Sequence, residues 1–423
     1  MQTLARPIEA YRRVAPRVVV AVALLASVRG VRNDFVYDDL PIIQDNTRVQ
    51  GVTHWIDIIS HAYWPPPFTP QLYRPLSLMF ASLQYAVGHG SPIVFRIVSY
   101  VLYALVALAV LRLGERLMSW PAAFVAAVLF AAHPVHVEAV ALGVNQSEIL
   151  VGLIGVLMVV RYLDDRRTGA LSWRDWAYQA ALYATAALCK ETGFVLPALL
   201  VAAESTLLAD AAISDRAAQL RKGCLLFGGV AAILMMVRHA VLTRGALSVV
   251  AAKGLSGLGL GGRALLMLQV VPHWARLLVW PAHLQADYVA TEFFPVDRFG
   301  IHQWPGIAIV ACFLAAVTVS RRRAPVACFG LMWCAITLLP VSNIIPTGIL
   351  LAERTLFLPS IGALLAAAAL GELAIRRWPS ALLQRALVGI TVICVIFGVA
   401  RSVARHSVWN SAHLAIVVRP PAS

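Results

Sequence analysis

Two adjacent carboxylates are the first groups in the chain whose types and spacing could do chemistry. Asp38 and Asp39 stand in "RNDFVYDDLPII" (residues 32–43), just past the first long apolar run. A carboxylate within hydrogen-bonding reach of a hydroxyl can act as a general base, and ionisable groups at membrane spans commonly mark a site. Taken alone, the pair is equally compatible with a helix cap or a solvated loop.

Cationic groups that could hold a phosphate follow in three later motifs. Arg74 stands in "YRPLSL", Lys190 in "CKETG" and Arg354 in "AERTLF". Arginine holds phosphate oxygens in a bidentate fork, and lysine binds them as a point charge. A lipid-linked sugar phosphate carries its phosphate at the membrane surface, so its site needs such cations beside an acidic base.

Imidazole and carboxylate groups accompany these cations. "HPVH" places His133 and His136 three residues apart, which is a weak zinc pattern because no third ligand is evident. The sequence therefore indicates no cofactor with certainty and leaves a divalent metal open. Together with the two histidines, the candidates for a substrate or acceptor pocket are Glu138, Glu148, Glu191, Asp287 and Glu353. Buried structural ion pairing between spans is the alternative interpretation of these charges.

Composition indicates which elements position these groups. Of 423 residues, 60% are hydrophobic and 13% are charged, which is typical of a polytopic membrane protein. The net charge of +14 comes from short arginine clusters between apolar runs rather than from one basic face, so nucleic acid is not an expected partner. The six cysteines lie in or at the ends of apolar runs and predict no disulfide framework or zinc site.

Basic clusters set the expected orientation. Arg12, Arg13 and Arg17 place the N-terminus in the cytoplasm as a retained anchor, and the first span then delivers Asp38 and Asp39 to the outer face. Basic clusters at 112–117, 161–167, 215–222, 320–323 and 376–377 mark later cytoplasmic ends. About 11 spans with an external C-terminus follow, at 18–35, 93–112, 121–135, 146–163, 176–190, 193–209, 224–242, 304–320, 324–341, 354–375 and 381–402.

Two outer regions are more than simple connections. The first external loop, 33–92, is long enough to be functional, and its apolar residues Val52, Ile56 and Ile59 recur at helical spacing, which predicts an interfacial helix before a second helix at 73–87. A second external region, 243–303, contains an apolar stretch, 264–283. A full crossing there would reverse the charge rule, so we expect a segment that dips in and returns or packs at the interface.

The order and spacing of several motifs resemble one known family. "FVYDDLPIIQDN", "YRPLSLMFASLQY", "AAVLFAAHPVHVEAVALGVNQSEIL", "ALCKETGFVLPAL", "LLVWPAHLQADY" and "AERTLFLPSIGALL" are similar to segments of the transmembrane O-mannosyltransferases that carry tetratricopeptide repeats, the cadherin-targeting group and its bacterial relatives. The resemblance covers nearly the whole chain, and several motifs in register carry it more firmly than any one motif.

The resemblance implies an all-α polytopic membrane protein with the GT-C glycosyltransferase fold. It implies transfer of a sugar, with mannose expected, from a polyprenyl-phosphate donor to a hydroxyl of a protein, lipid or glycan, with inversion. The catalytic acids are then Asp38 and Asp39, with Asp38 favoured as the base, and the phosphate-binding residues are Arg74, Lys190 and Arg354. A bacterial inner membrane with a periplasmic site is the expected location.

The chain departs from the family pattern in two places. "VNQSEIL" stands where a G-R-A-[DE] stretch is expected, which puts one basic contact in doubt. No 34-residue period is evident, so we expect one transmembrane domain over 1–423 and no repeat domain. A separate acceptor-binding subunit, a lipid acceptor or direct recognition by loops all remain open.

Two other classes compete with a transferase. A lipid-linked sugar transporter or flippase also binds a lipid phosphate, but it is typically built from paired repeats with ionisable groups near mid-membrane. A non-catalytic membrane scaffold does not require the acidic pair. The predicted clustering of ionisable groups on one face favours the transferase.

Overall fold

Helices make up most of the residues that the structure describes. A computed structural model describes residues 2–68, 72–208, 215–243, 251–252, 254–286, 288, 293 and 298–410, with only the backbone for 2–11. No β-strand occurs within these ranges. The α-helices are α1 Gln2–Ser27, α2 Trp55–Ser60, α3 Pro75–Gly88, α4 Pro92–Leu117, α5 Trp120–Ala132, α6 Val137–Ala141, α7 Gln146–Thr168, α8 Trp173–Cys189, α9 Leu196–Thr206, α10 Arg216–Leu242, α11 Leu260–Val279, α12 Trp304–Arg323, α13 Pro325–Leu338, α14 Phe357–Arg377 and α15 Ala381–Arg405.

Seven helical stretches of the described chain are long and apolar enough to cross a membrane. An eighth is obtained if α5 and the 134–141 segment, which meet at a 48° bend, form one span. The protein is thus an all-α polytopic membrane protein, as the sequence predicts. The other three of the predicted spans coincide with α8, α9 and α13, which have 17, 11 and 14 residues.

Polar motifs explain why two of these helices are short. The chain leaves α8 at Lys190 and forms a 3-10 turn over Glu191–Val195 before α9 begins. Gly193 lies against the backbone of Ala186, where a Cβ atom would clash. One apolar run is therefore divided at the position of two charged residues, which the turn holds at the helix ends.

The central helices are buried and the peripheral helices are exposed. α4, α7 and α14 are mostly buried, whereas α10, α12 and α15 turn most of their apolar side chains outward, as lipid-facing helices do. α13 and α14 cross closely at Gly330 and Gly362, where each glycine faces the carbonyl oxygen of the other. Trp333 Nε1 donates to the Leu358 carbonyl across the same interface (3.0 Å).

The basic helix ends come together at one end of the bundle. Arg12 pairs with Glu115 at 3.4 Å, and Arg116 pairs with Asp164 at 2.7 Å. Charged candidates of the sequence analysis that the structure describes lie toward the other end of the bundle. For example, Glu148 lies in the first turn of α7, whereas Asp164 lies near its last.

The first loop contains the two expected helices. α2 is only six residues long, and the apolar side chains of Val52, Ile56 and Ile59 are exposed, while Tyr63 is buried. α3 follows as the second helix. The 264–283 stretch forms most of α11, which runs without reversal through Pro272 and packs against α12.

Candidate active site

The two carboxylates of the first loop have different environments. A turn at Tyr37 (φ +56°) precedes them, and the backbone N–H of Asp39 donates to the Val36 carbonyl at 3.1 Å. A non-glycine residue with positive φ is uncommon and marks a constrained turn. The turn directs Asp39 into the protein and leaves Asp38 partly exposed.

The Asp39 side chain is fully buried, and both of its oxygens accept hydrogen bonds. Its oxygens accept hydrogen bonds from the backbone N–H groups of Gly143 (3.0 Å) and Val144 (2.9 Å) and from Arg96 Nη1 (3.3 Å). Arg96 is also fully buried, and its Nη2 donates to the Asp34 carbonyl at 2.7 Å. Asp39 therefore fastens the first loop to α4 and to the turn before α7.

Asp38 has a different set of neighbours. Its side chain makes no ion pair or hydrogen bond with any residue that the structure describes, but it interacts electrostatically with Arg354, Arg74, Glu138 and Asp39. Burial raises the pKa of Asp38 to about 6, and Arg354 opposes that rise. A carboxylate with such a pKa is a stronger base than an ordinary aspartate and is still ionised at neutral pH.

Arg354 and Glu138 form a buried pair next to Asp38. The Arg354 guanidinium contacts Glu138 Oε1, and its backbone N–H donates to Glu138 Oε2 at 2.8 Å. The two residues are far apart in the sequence and come together because the turn before α14 packs on α6. Glu138 thereby fixes the position of Arg354 by both side chain and backbone.

The other two cations are also paired with glutamates. Lys190 Nζ lies 2.5 Å from Glu148, and Arg74 contacts Glu191 Oε2 through Nε (2.8 Å) and Nη2 (2.7 Å). Burial alone raises the pKa of Glu191, but the Arg74 ion pair outweighs it and lowers that pKa to about 2.

These pairs belong to one site. Lys190 interacts electrostatically with both Arg74 and Arg354, and both arginines act on Asp38. The Arg74 guanidinium lies 5.0 Å from the centre of the Tyr63 ring, a cation–π contact at the wall of the site. The structure thus brings together Asp38, Arg74, Glu138, Glu148, Lys190, Glu191 and Arg354.

The two histidines are committed to protein partners. His133 Nδ1 accepts from the Val135 N–H (3.3 Å), so Nε2 carries the proton donated to the Leu278 carbonyl (3.1 Å). His136 bonds Tyr103 Oη at 2.9 Å and Ser360 Oγ at 2.8 Å. No group of three or more His, Cys, Asp or Glu side chains within the described ranges has the arrangement to hold a metal ion. The residues described here therefore do not fit a divalent metal site.

Glu353 contacts two further segments instead of forming a pair beside Asp38. It is fully buried and accepts hydrogen bonds from Gln285 N–H (2.6 Å), Tyr288 Oη (3.0 Å) and Arg405 Nη2 (3.4 Å). It therefore connects the loop after α11 and the end of α15 to the turn that carries Arg354. Asp287, the remaining sequence candidate, lies outside the described residues.

Sequence reasoning missed three residues of this network: Arg96, Arg238 and Tyr63. Arg238 Nη1 lies 3.3 Å from Glu191 Oε1, on the side opposite Arg74. Arg96 and Arg238 are each an arginine within a long apolar helix, which is an expensive placement and was a usable signal. Tyr63 gave no such signal, because an aromatic residue in a loop is ordinary.

Comparisons with known proteins agree with the family resemblance that the sequence motifs indicate. No family model matches the chain. The chain is 27% identical to human protein O-mannosyl-transferase TMTC4 over 94% of its length and 60% of the relative, and 24% identical to mouse TMTC3 over 78% and 39%. It is 33% identical to fruit fly (Drosophila melanogaster) Tmtc2 over 46% of the chain and 22% of the relative.

The chain spans less than two thirds of the length of each of these relatives. The aligned part nevertheless covers most of this chain in two of the three comparisons. The chain is an all-α polytopic membrane protein that resembles the protein O-mannosyl-transferases of the TMTC group.

Proposed function

We propose that the protein is an integral membrane glycosyltransferase of the GT-C, polyprenyl-phosphate-dependent class. It transfers a sugar, with mannose as the first candidate, from the lipid phosphate to a hydroxyl acceptor on the outer face of the membrane. A protein serine or threonine is the first candidate acceptor, and a lipid or glycan hydroxyl is the alternative. The names of the TMTC relatives support the mannosyl transfer. The proposed membrane is a bacterial inner membrane, with the site on its periplasmic face.

One observation carries this proposal. Each cation of the site is paired with a glutamate, while Asp38, alone among the site carboxylates of the described chain, has no ion pair. A carboxylate between two arginines, free to accept a proton, is the arrangement that a base beside a phosphate requires. A purely structural charge would be expected to have a partner, as Asp39 does.

The chemistry follows from these positions. Asp38 accepts the proton of the acceptor hydroxyl as its oxygen attacks the anomeric carbon from the face opposite the phosphate. The bond between that carbon and the phosphate oxygen breaks, and its electron pair leaves with the phosphate. Arg74, Lys190 and Arg354 stabilise the charge that develops on the phosphate. The sugar is delivered with inversion, and the proton remains on Asp38.

Asp39 has a positioning role in this scheme. Its three hydrogen bonds occupy both oxygens, and its side chain is fully buried. By holding the first loop against α4, it sets where Asp38 lies relative to Arg354. The assignment of the base therefore falls on Asp38 and not on its neighbour.

The test is transfer of radiolabelled mannose from polyprenyl-phosphate mannose by purified protein. We expect Asp38→Asn to reduce turnover by about a hundredfold or more while donor binding persists, because asparagine keeps the shape but accepts no proton. Asp45→Asn, in the same loop and exposed, is the matched control and should transfer at the parent rate. If Asp38→Asn transferred mannose at near the parent rate, Asp38 would not be the base.

A further inference from the structure

An apolar cavity lies beside the site, between α7, α8, α9 and α10. Its volume is about 340 Å³, within the range of ligand pockets. Aromatic rings from Tyr162, Trp176, Tyr183, Phe194 and Phe227 form much of its wall. It is bordered by exposed residues of α9 and α10, Val201, Cys224 and Gly228, so it opens toward the lipid-facing surface.

Two glycines of α10 shape this cavity in opposite ways. Gly223 lies against the Trp176 ring, so α10 contacts α8 closely there. At Gly228 an added Cβ atom would meet nothing within 4 Å, so the cavity is open at this position. Gly229 also faces open space, but it is not part of the cavity lining.

The cavity leads toward the cationic site. On α10 its lining residues follow one helical stripe, Leu220, Gly223, Cys224, Phe227, Gly228 and Ala231. Seven residues beyond Ala231, and so on the same face, is Arg238. Arg238 pairs with Glu191, three residues before Phe194 of the cavity wall, and Glu191 also holds Arg74. The apolar stripe on α10 therefore continues toward Arg238, which lies about 10 Å along the helix beyond the last lining residue.

We propose that this cavity binds the isoprenoid chain of a lipid phosphate, with Arg238 as a further phosphate-binding residue beside Arg74. An amphiphile with an apolar chain and a single anionic head matches an apolar cavity with arginines beyond one of its ends. The inference rests on the proposed function, because it locates the donor lipid of that reaction.

Filling the cavity is the direct test. Gly228→Phe places a ring in open space within the lining, and Gly229→Phe places the same ring outside it. Binding of undecaprenyl phosphate to purified protein in detergent, measured by native mass spectrometry, should weaken about tenfold in Gly228→Phe, because the ring displaces part of the apolar chain from the lining. Gly229→Phe should bind as the parent does.

The headgroup is tested separately. Undecaprenol, which lacks the phosphate, should bind the parent at least about tenfold more weakly than undecaprenyl phosphate, and Arg238→Gln should abolish much of that difference. Arg238→Lys should keep part of the difference in binding, because lysine has the positive charge of arginine but not its bidentate guanidinium. Phosphatidic acid tests whether two acyl chains fit as well as one isoprenoid chain.

The results of these binding experiments distinguish a failure of the cavity assignment from a failure of the transferase proposal. Equal binding of undecaprenol or phosphatidic acid, or no effect of Gly228→Phe, overturns the cavity assignment even if sugar transfer is found. Selective binding that Gly228→Phe weakens supports the assignment even if no transfer is found, and the transferase proposal then fails alone. If the phenylalanine variant does not fold, Gly228→Leu places a smaller side chain in the same space and provides the same test.

Discussion

Asp38 and Asp39 are adjacent in the chain, yet only one of them faces the other charges of the site. The backbone turn at Tyr37 separates their directions, and burial then acts on each of them differently. Asp39 is enclosed with Arg96 and two backbone N–H groups, whereas Asp38 lies among the cations of the site without an ion pair to a described residue. At the scale of single residues, the role of each aspartate therefore depends on the groups around its carboxylate and not on its residue type.

The pKa of Asp38 predicts a pH dependence. Burial raises it to about 6, so the base is ionised above that pH and protonated below it. Activity should therefore rise as the pH increases through about 6, and below that value kcat/KM should fall about tenfold per pH unit. The measurement is a pH–rate profile of mannose transfer between pH 4.5 and 8, values chosen to bracket that of about 6. A profile that is flat across this range would contradict the role of Asp38.

The buried Arg96–Asp39 pair predicts an effect on stability. Removing one partner leaves a buried charge without compensation, which costs about 3–5 kcal/mol in other buried pairs. We expect Arg96→Met to lower the thermal unfolding midpoint in detergent, and the double variant with Asp39→Asn to lose less than the sum of the single losses. Additive losses would mean that the two side chains do not stabilise each other.

At the scale of elements, short interruptions of apolar runs position the site. The turn between α8 and α9 carries Lys190 and Glu191, and the turn before α14 carries Glu353 and Arg354. In both places the polar residues lie in or next to a 3-10 turn that precedes a helix. The helices fix the turns, and the turns direct the side chains toward one another across the bundle.

The α13–α14 crossing predicts how one helix controls the site. Gly362→Ala places a methyl group against the Gly330 carbonyl, so the helices must separate and Arg354, just before α14, must move. We expect lower thermal stability and a fall in kcat. Gly371→Ala, on the same helix but facing open space, should be neutral or stabilising by up to about 1 kcal/mol. Equal behaviour of the two variants would contradict the close crossing.

At the scale of the molecule, charge is divided between the two ends of the bundle. Basic helix ends meet acidic partners at one end, and the site occupies the other. The last helix ends on the site side, where Arg405 pairs with Glu353 and the Asn33 side chain donates to the His406 carbonyl at 2.9 Å. The end of α15 and the site therefore share one face.

This arrangement predicts the topology in cells. By the positive-inside rule the basic end is cytoplasmic, so an alkaline phosphatase fused at the C-terminus should be active and a fluorescent protein there should be dark. A fusion after Arg377, at the basic end, should give the reverse pattern and serves as the control. Fluorescence from the C-terminal fusion would show that the orientation is inverted.

The sequence by itself determined the structural class of the protein and indicated most residues of the candidate site. Hydropathy and charge are local properties, so apolar runs predict membrane helices, and "YDD", "CKET" and "AERT" identify the polar positions between them. The same local reasoning overestimated the length of α9 and α13, because hydropathy alone does not locate a helix end.

Only the tertiary structure decided which charges meet. The pairs Arg354–Glu138 and Arg74–Glu191 join residues more than a hundred positions apart, and no local pattern encodes such a distance. The different environments of Asp38 and Asp39 also follow only from the fold. So do the hydrogen bonds of His133 and His136 to protein partners and the position of Arg238 next to Glu191. Desolvation and pairing depend on how distant segments pack, so they exist only in the folded chain.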